Sequence, residues 1–383
     1  MIQSALVLIT LALLFAYIVL LLLYRFFWNS IPTFSIPASK DSFQTFISII
    51  IPCRNEENNI AALLDSILLQ SYPVNLFEII VVDDFSTDNT IKIVERYENA
   101  TIKIISLKNY CTDGAINSYK KKAIEIGVAA AKGELIVTTD ADCIVKKDWL
   151  KTISSFFEKH HPVMIVMPVV ISHSSSFIQR FQSIDFMCLQ GITGAAVFKN
   201  IHGMCNGANL AYSKKVFEEL DGFKDINHIA SGDDMMLMQK FSKKYSGGIL
   251  YLKSEDVIVE TIPTNTVREF LNQRIRWASK ADKYQDKSLM PVLLIVYLLN
   301  LFTFVLLIDT LFFNNSYAMV VLIVLLSKTM VELFFLFPVA VFFNKQSSLW
   351  LFPFLQPFHI LYTIIAGWLG KFGTYTWKER RVK

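Results

Sequence analysis

The chain has 383 residues, of which 53% are hydrophobic and only 18% charged, so disorder and collagen-like repetition are excluded. It is too apolar for one soluble domain of this length, and the apolar excess must be located. Against 33 acidic side chains stand 37 basic ones, a net charge of +4 concentrated in the tail beyond Gly370, which is too slight for a nucleic-acid-binding surface.

In chain order, the first element is an uncharged stretch from Ala5 to Tyr24. A helix of about 20 residues spans the roughly 30 Å hydrocarbon core of a bilayer, so residues 1–30 are expected to form an N-terminal transmembrane anchor. A cleaved signal peptide is the competing reading. Against it, no basic region precedes the run, the run is too long, and bulky Arg25-Phe26-Phe27-Trp28 stands where small residues precede a cleavage site.

From 42 to 265 the pattern changes to short β-branched runs alternating with amphipathic stretches. Phe46 to Ile51 reads as a buried strand, Glu56 to Leu69 as a helix with Ile60, Leu63, Leu64 and Ile67 on one face, and Glu78 to Val82 as a second strand. Ile102 to Leu107, Ala123 to Ala131 and Glu134 to Thr139 continue the alternation. The expected fold class is α/β, with a doubly wound, mostly parallel sheet whose ligands bind beyond the carboxyl ends of the strands. The five cysteines, Cys53, Cys111, Cys143, Cys188 and Cys205, form neither a C-x-x-C pair nor a zinc spacing and read as free thiols in a reducing compartment.

Residues 266–289 read as an amphipathic interfacial helix leading into the C-terminal membrane segments of 290–370. Met290 to Phe313 and Tyr317 to Phe343 are expected to span, joined by Asn314-Asn315-Ser316. Arg25, Lys280, Lys283, Lys287, Lys345 and the basic tail of 371–383 place their segments in the cytoplasm by the positive-inside rule. A full crossing by Leu349 to Gly370 would put the tail outside. Pro353 and Pro357 interrupt that run near its start, so a re-entrant or interfacial segment is expected. Lys328 and Glu332, four apart in the second span, share a helix face and read as an internally satisfied ion pair rather than an ion pathway.

Three strand ends carry unusual chemistry: Pro52-Cys53-Arg54-Asn55-Glu56-Glu57, Asp83-Asp84-Phe85-Ser86-Thr87-Asp88 and Thr139-Asp140-Ala141-Asp142. Neither a P-loop nor a G-x-G-x-x-G fingerprint is present, so phosphate must be handled in another way. Two carboxylates one residue apart supply hard oxygen ligands suited to Mg²⁺ or Mn²⁺ on a diphosphate. Asp-Ala-Asp alone is weak, because acidic residues are common in turns. Together with Asp233-Asp234 and Gln273-Arg274-Ile275-Arg276-Trp277, in this order and spacing, the strings over Phe46 to Lys280 resemble the membrane-bound family 2 glycosyltransferases. The likeness is to the branch of cellulose, chitin, hyaluronan and poly-N-acetylglucosamine synthases. Q-x-x-R-W is its most specific element.

That resemblance implies a GT-A fold that transfers sugar, with inversion, from a UDP-sugar to a saccharide or lipid acceptor. It places Pro52, Arg54, Glu56 and Asp84 on the nucleotide and a lysine near the donor phosphates. Counting back from Gly127 favours Lys120, although Lys121 and Lys122 adjoin it. Asp142, with Asp140, matches the metal motif. Asp234 matches the catalytic acid, although this chain has Gly-Asp-Asp where the family usually has Thr-Glu-Asp. Asp233, Gln273, Arg274 and Trp277 fall on the acceptor side and Arg276 toward the diphosphate. Asn206 to Leu210 matches a polar strand beside the acceptor, and His202, a lone histidine, reads as structural. The whole reads as a bacterial-type, multi-pass inner-membrane enzyme with its catalytic domain in the cytosol. A single-transfer lipid glycosyltransferase, a non-catalytic scaffold and a transporter are the rivals.

Overall fold

The computed structural model describes residues 2–38, 42–97, 101–112, 117–172, 176–229, 232–280, 286–313, 315–373, 375–377 and 380–382. They form two compact units, an α/β unit of Ile31–Ser172 with Gly203–Ile262, and a helical unit of Met1–Ser30, His173–His202 and Pro263–Lys383. The order is α1 (Ile2–Ser30), β1 (Ile47–Cys53), α2 (Ile60–Leu68), β2 (Phe77–Asp83), α3 (Thr90–Val94), β3 (Ile102–Ser106), α4 (Tyr119–Ala130) and β4 (Leu135–Thr138). Next come β5 (Cys143–Ile144), α5 (Trp149–His160), β6 (Met164–Val166), β7 (Val169–Ile171), α6 (Phe177–Lys199), β8 (Leu210–Ser213) and α7 (Lys214–Glu219). They are followed by α8 (Asp233–Lys244), β9 (Ile249–Tyr251), β10 (Val259–Thr261), α9 (Val267–Ala278), α10 (Met290–Phe312), α11 (Ala318–Phe342) and α12 (Phe352–Phe372).

In the α/β unit, β1 reads Ile-Ser-Ile-Ile-Ile-Pro-Cys and is buried over nearly its whole length. A run of β-branched side chains on both faces suits a strand covered from both sides. The main sheet has the order β3-β2-β1-β4-β8-β6-β9. Within it β8 runs antiparallel to its neighbours β4 and β6, and the other neighbouring pairs are parallel. The sheet is therefore the mostly parallel one expected. A smaller sheet, β5-β10-β7, accompanies it. Cys53 lies level with Asp83, and Ile50 level with Thr138, so the loops after β1, β2 and β4 open at one sheet edge.

Helix α2 buries the face expected of it, Ile60, Leu63, Leu64 and Ile67, but starts at Ile60 and not at Glu56. The Glu56 N–H donates to Thr90 Oγ1 at 2.7 Å and the Glu57 N–H to Asp88 Oδ2 at 3.1 Å, so these groups are tied to the loop after β2.

In the helical unit, Ser4–Ser30, Leu289–Phe312, Asn315–Phe342 and Gln346–Phe372 are long and apolar enough to cross a membrane. Leu8, Phe15, Phe312, Met330, Phe354 and Trp368 stand exposed on them. The break expected at Pro353 and Pro357 does not occur, and α12 is one helix. Pro353 lies in its first turn, where an N–H would have no intrahelical partner, and Pro357 removes a bond only near the start. Lys328 and Glu332 form the expected ion pair at 2.7 Å, fully buried. Tyr17 Oη donates to Glu332 at 2.7 Å, and Lys328 Nζ donates to Gln356 Oε1 at 2.8 Å. His202 is buried, with Nε2 2.6 Å from Tyr24 Oη.

Candidate active site

The first two strand-end strings knit into one another. Arg54 donates to the Asp84 carbonyl at 3.0 Å and lies 3.7 Å from its carboxylate. Asn55 and Phe85 take left-handed backbone, with φ of 52° and 53°, to make the turns that leave Pro52 and Asp83. The Asn55 N–H donates to Ser86 Oγ, and the Thr87 N–H donates back to Asn55 Oδ1. Glu56 accepts from Asn59 Nδ2 at 2.8 Å. Asp83 caps the Ser86 N–H, while Asp88 accepts from Thr90 and from the Glu57 N–H. Burial alone would raise the Asp88 pKa, but the donors Thr90 and Glu57 outweigh it and hold the carboxyl below its ordinary value. Asp83, Asp88 and Glu57 thus lock the loops, a role hidden in a string that reads simply as acidic.

The three adjacent lysines separate cleanly, because successive helical residues point about 100° apart. Lys120 Nζ lies 2.7 Å from Asp140 Oδ1 and 3.4 Å from Asp233 Oδ2. Burial disfavours its charge, yet Asp140 and Asp233 more than compensate and hold its pKa well above the ordinary lysine value. Lys121 is buried and donates to the Ile226 and Ile229 carbonyls at 2.7 and 2.8 Å. Lys122 meets Glu125 at 3.4 Å. Lys121 and Lys122 line a cavity of about 310 Å³ with Glu125, Asn227 and His228, and none of the aspartates reaches it.

Gly232, whose φ of 77° supplies the turn, precedes helix α8, which places Asp233 and Asp234 in its first turn, where the exposed N–H groups favour negative charge. Asp233 is buried toward Lys120, while Asp234 remains part-exposed. The Gly207 N–H donates to Asp234 Oδ2 at 3.1 Å. A Cβ at Gly207 would sit 3.2 Å from Asp233 Oδ2 and 3.5 Å from Lys120 Nζ. Glycine is thus what lets this backbone approach the carboxylates. Residues 207–209 form a 3₁₀ turn, and the strand starts only at Leu210. Asn209 anchors it, accepting from Trp149 Nε1 and donating to the Pro168 and Val257 carbonyls. Gly207 was not among the individual site residues the sequence singled out. Its only signal was the polar, glycine-containing string around it.

Asp140 and Asp142 both stand part-exposed at the end of β4. Behind them the Cys143 thiol is 3.7 Å from Asp142 Oδ1, and burial together with the two carboxylates pushes its pKa far up, keeping it a neutral thiol. Among the described residues no three of His, Cys, Asp and Glu converge as a closed metal site. Two part-exposed carboxylates do fit a Mg²⁺ or Mn²⁺ that takes its other ligands from water and a diphosphate.

In the helical unit, α9 opens with a capping box between Thr266 and Glu269. Gln273, Arg276 and Trp277 are part-exposed on it. Arg274, expected on the acceptor side, is instead buried, its guanidinium 2.7 Å from Asp185 Oδ2 and 4.2 Å from the Trp277 ring. The reason is local: Asp185, on α6, and Tyr362, on α12, offer the guanidinium a desolvated polar niche.

Two family models match the chain: glycosyl transferase family 2 over residues 48–221 and glycosyl transferase family group 2 over residues 135–368. The chain is similar to the poly(ribitol-phosphate) beta-N-acetylglucosaminyltransferase TarS of Staphylococcus aureus, 33% identical over 121 residues, which are 31% of this chain and 20% of TarS. TarS itself has been crystallised in complex with UDP-GlcNAc. The chain is also similar to the poly-beta-1,6-N-acetyl-D-glucosamine synthase of Staphylococcus epidermidis, 22% identical over 255 residues, 64% of this chain and 57% of the synthase. It thus spans a fifth of TarS and little more than half of the synthase. The mannosyltransferase PcManGT from Pyrobaculum calidifontis, solved with GDP-Man and Mn²⁺, shares the fold with a TM-score of 0.59 at 20% identity, over 95% of this chain and 98% of that one. The α/β unit has the GT-A fold.

Proposed function

Because the chain belongs to glycosyl transferase family group 2, we propose that it is an inverting, metal-dependent enzyme moving a sugar from a UDP-sugar to a membrane-associated acceptor, a growing polysaccharide or a lipid. The observation that carries this reading is the convergence of Lys120, Asp140, Asp233 and Asp234 against the Gly207 backbone. TarS and the synthase, by their names, transfer N-acetylglucosamine, which supports a UDP-linked donor over other nucleotides. All the aspartates of the motif are present, which weighs against a scaffold without activity.

Pro52, Arg54, Glu56 and Asp84 hold the nucleotide, with the loop lock of Asp88 and Glu57 keeping that surface formed. A divalent ion bound by Asp142, with Asp140, would stabilise the charge of the departing diphosphate. Lys120 faces Asp140 and Asp233 together and so ties the phosphate side of the site to the carboxylates of α8. Asp234 is the base. As the acceptor hydroxyl oxygen attacks the anomeric carbon, its proton passes to Asp234, and the bond to the diphosphate breaks with its electron pair leaving on UDP. Asp233 remains paired with Lys120 and borders the acceptor. Gln273 and Trp277 serve the acceptor and Arg276 the diphosphate.

The four apolar helices support a multi-pass place in the bacterial inner membrane with the GT-A unit in the cytosol. Cysteine labelling from outside intact cells should reach a probe at Asn315, and the same labelling at Lys383 decides whether α12 crosses. Four such helices among the described residues are few for a wide polymer channel, which favours a single transfer to a lipid as the second reading.

The deciding experiment incubates the detergent-purified full chain, Mn²⁺ and a membrane lipid extract with UDP-GlcNAc, UDP-glucose or GDP-mannose, following nucleotide release and product mass. Release of UDP with a mass gain in the extract is expected. Turnover of GDP-mannose alone would overturn the donor assignment.

A further inference from the structure

The helical unit holds a second cluster of buried charge that lies outside the recognised motifs. Asp185 is a lone acid in α6, between apolar Ile184 and Phe186, and nothing in its sequence context marks it. Its carboxylate is buried and doubly engaged: Oδ2 accepts from Arg274 at 2.7 Å, and Oδ1 accepts from Tyr362 at 2.6 Å. Three helices, α6, α9 and α12, therefore meet on one side chain. Arg274 in turn lies over two rings of its own helix, Phe270 at 4.8 Å and Trp277 at 4.2 Å. Phe186, the residue after Asp185, packs beside the same indole at 6.0 Å between centroids. Gly370 of α12 meets α9 so closely that a Cβ there would lie 2.6 Å from Ala278 Cβ.

A buried guanidinium without a carboxylate would be driven toward water, so Asp185 determines where Arg274 sits. A guanidinium over an indole attracts its face, so Arg274 determines how Trp277 is turned, and one face of the ring is already occupied by cation. Only the opposite face is left for a sugar to stack on. A tryptophan on a surface helix held in this way has a fixed orientation before any acceptor arrives.

We propose that Asp185 is a positioning residue for glycosyl transfer: it clamps Arg274, and Arg274 orients the Trp277 indole that meets the acceptor sugar. This rests on the reading that Trp277 serves the acceptor. Asp185 does not itself touch the reacting atoms. Its loss therefore leaves donor binding and the Asp234 base in place and affects the partition of the activated sugar between acceptor and water.

The test measures that partition in the detergent-purified full chain with UDP-GlcNAc and a membrane lipid extract, as sugar incorporated into lipid divided by total UDP released. Asp185→Asn should lower the ratio several-fold while the donor KM stays unchanged. Tyr362→Phe, which removes one hydrogen bond and leaves the ion pair, should lower it less and serves where Asp185→Asn folds poorly. Arg274→Lys, which keeps the charge but loses the planar fork, should resemble Asp185→Asn. If Trp277→Ala lowers the ratio and none of these three does, the clamp is merely structural and the proposal fails alone. If Trp277→Ala leaves the ratio unchanged, the acceptor reading of the tryptophan fails and the clamp with it.

Discussion

Each of the two units holds a group of charged side chains, and the two groups are built on opposite terms. In the helical unit Lys328 and Glu332 match one to one, and Tyr17 and Gln356 fill the remaining hydrogen-bonding positions. That cluster is neutral, buried and closed. In the GT-A unit, Asp140, Asp233 and Asp234 all act on one lysine, and Asp140, Asp142 and Asp234 keep part of their surface in solvent. Carboxylates held part-exposed at the mouth of strand ends are open to a cation and a polar ligand. The difference teaches how to tell a charge cluster closed inside a fold from one open to a ligand: the first is shut off from solvent and the second keeps part of its surface in it.

The sharpest way to break the contrast is to withdraw the cation. Excess chelator should abolish sugar transfer by the purified enzyme, and added Mn²⁺ or Mg²⁺ should restore it, while the melting temperature without substrate changes little. Asp142→Asn should lose activity and keep its fold. Full turnover in chelator would mean that the GT-A cluster is as self-sufficient as the helical one.

Next in size is the base. A positioned general base contributes about 10²–10⁴-fold in rate, so Asp234→Asn should cut turnover by about that factor with donor binding near normal. Asp233→Asn should be milder in rate, because Asp233 is buried against Lys120 and not presented to solvent. The reverse ranking in kcat would exchange the roles of the two aspartates.

The helical cluster should respond in stability instead. Lys328→Met leaves Glu332 buried without its cation, at a cost of about 3–5 kcal/mol, whereas Lys328→Met with Glu332→Leu should come close to neutral. Melting of the detergent-purified variants checks both, and activity per folded molecule should stay near that of the parent in each. A double variant as unstable as the single one would show that the ion pair itself, and not the unmatched charge, carries the effect.

Much of this was legible in the chain, and the rest was hidden for identifiable reasons. Ile47 to Cys53 and Phe77 to Asp83 announce themselves because strands buried on both faces need β-branched runs. The Lys328–Glu332 pair is legible because helical spacing alone puts the two side chains together. The choice among Lys120, Lys121 and Lys122 is not, since it depends on carbonyls at Ile226 and Ile229 that lie far along the chain. Arg274 misleads for the same reason: its partner Asp185 is 89 residues away, on a helix with no motif. Pro357 misleads differently, because it falls so near the start of α12 that the helix loses one bond there and continues past it.

The smallest effect belongs to Asp88, which stands between the two extremes: part-exposed like Asp140, Asp142 and Asp234, and bonded to its own loops. Its carboxyl is held below its ordinary value mainly against burial, by Thr90 and the Glu57 N–H. A depressed pKa means that the folded protein keeps this group ionised further into acid than the unfolded chain does. Its contribution is therefore complete above the unfolded value of about 3.9 and is lost as the pH falls through the folded one. The group is near the surface, so Asp88→Asn should cost no more than about 0.5 kcal/mol at pH 7. Melting temperatures of the variant and the parent should differ slightly at neutral pH and converge in acid, with the donor KM unchanged at neutral pH. A tenfold rise in the donor KM would move Asp88 from the loop lock into the nucleotide site. A difference in melting that grows toward acid would reverse the sign of the linkage and remove the hydrogen bonds of Thr90 and Glu57 as its cause.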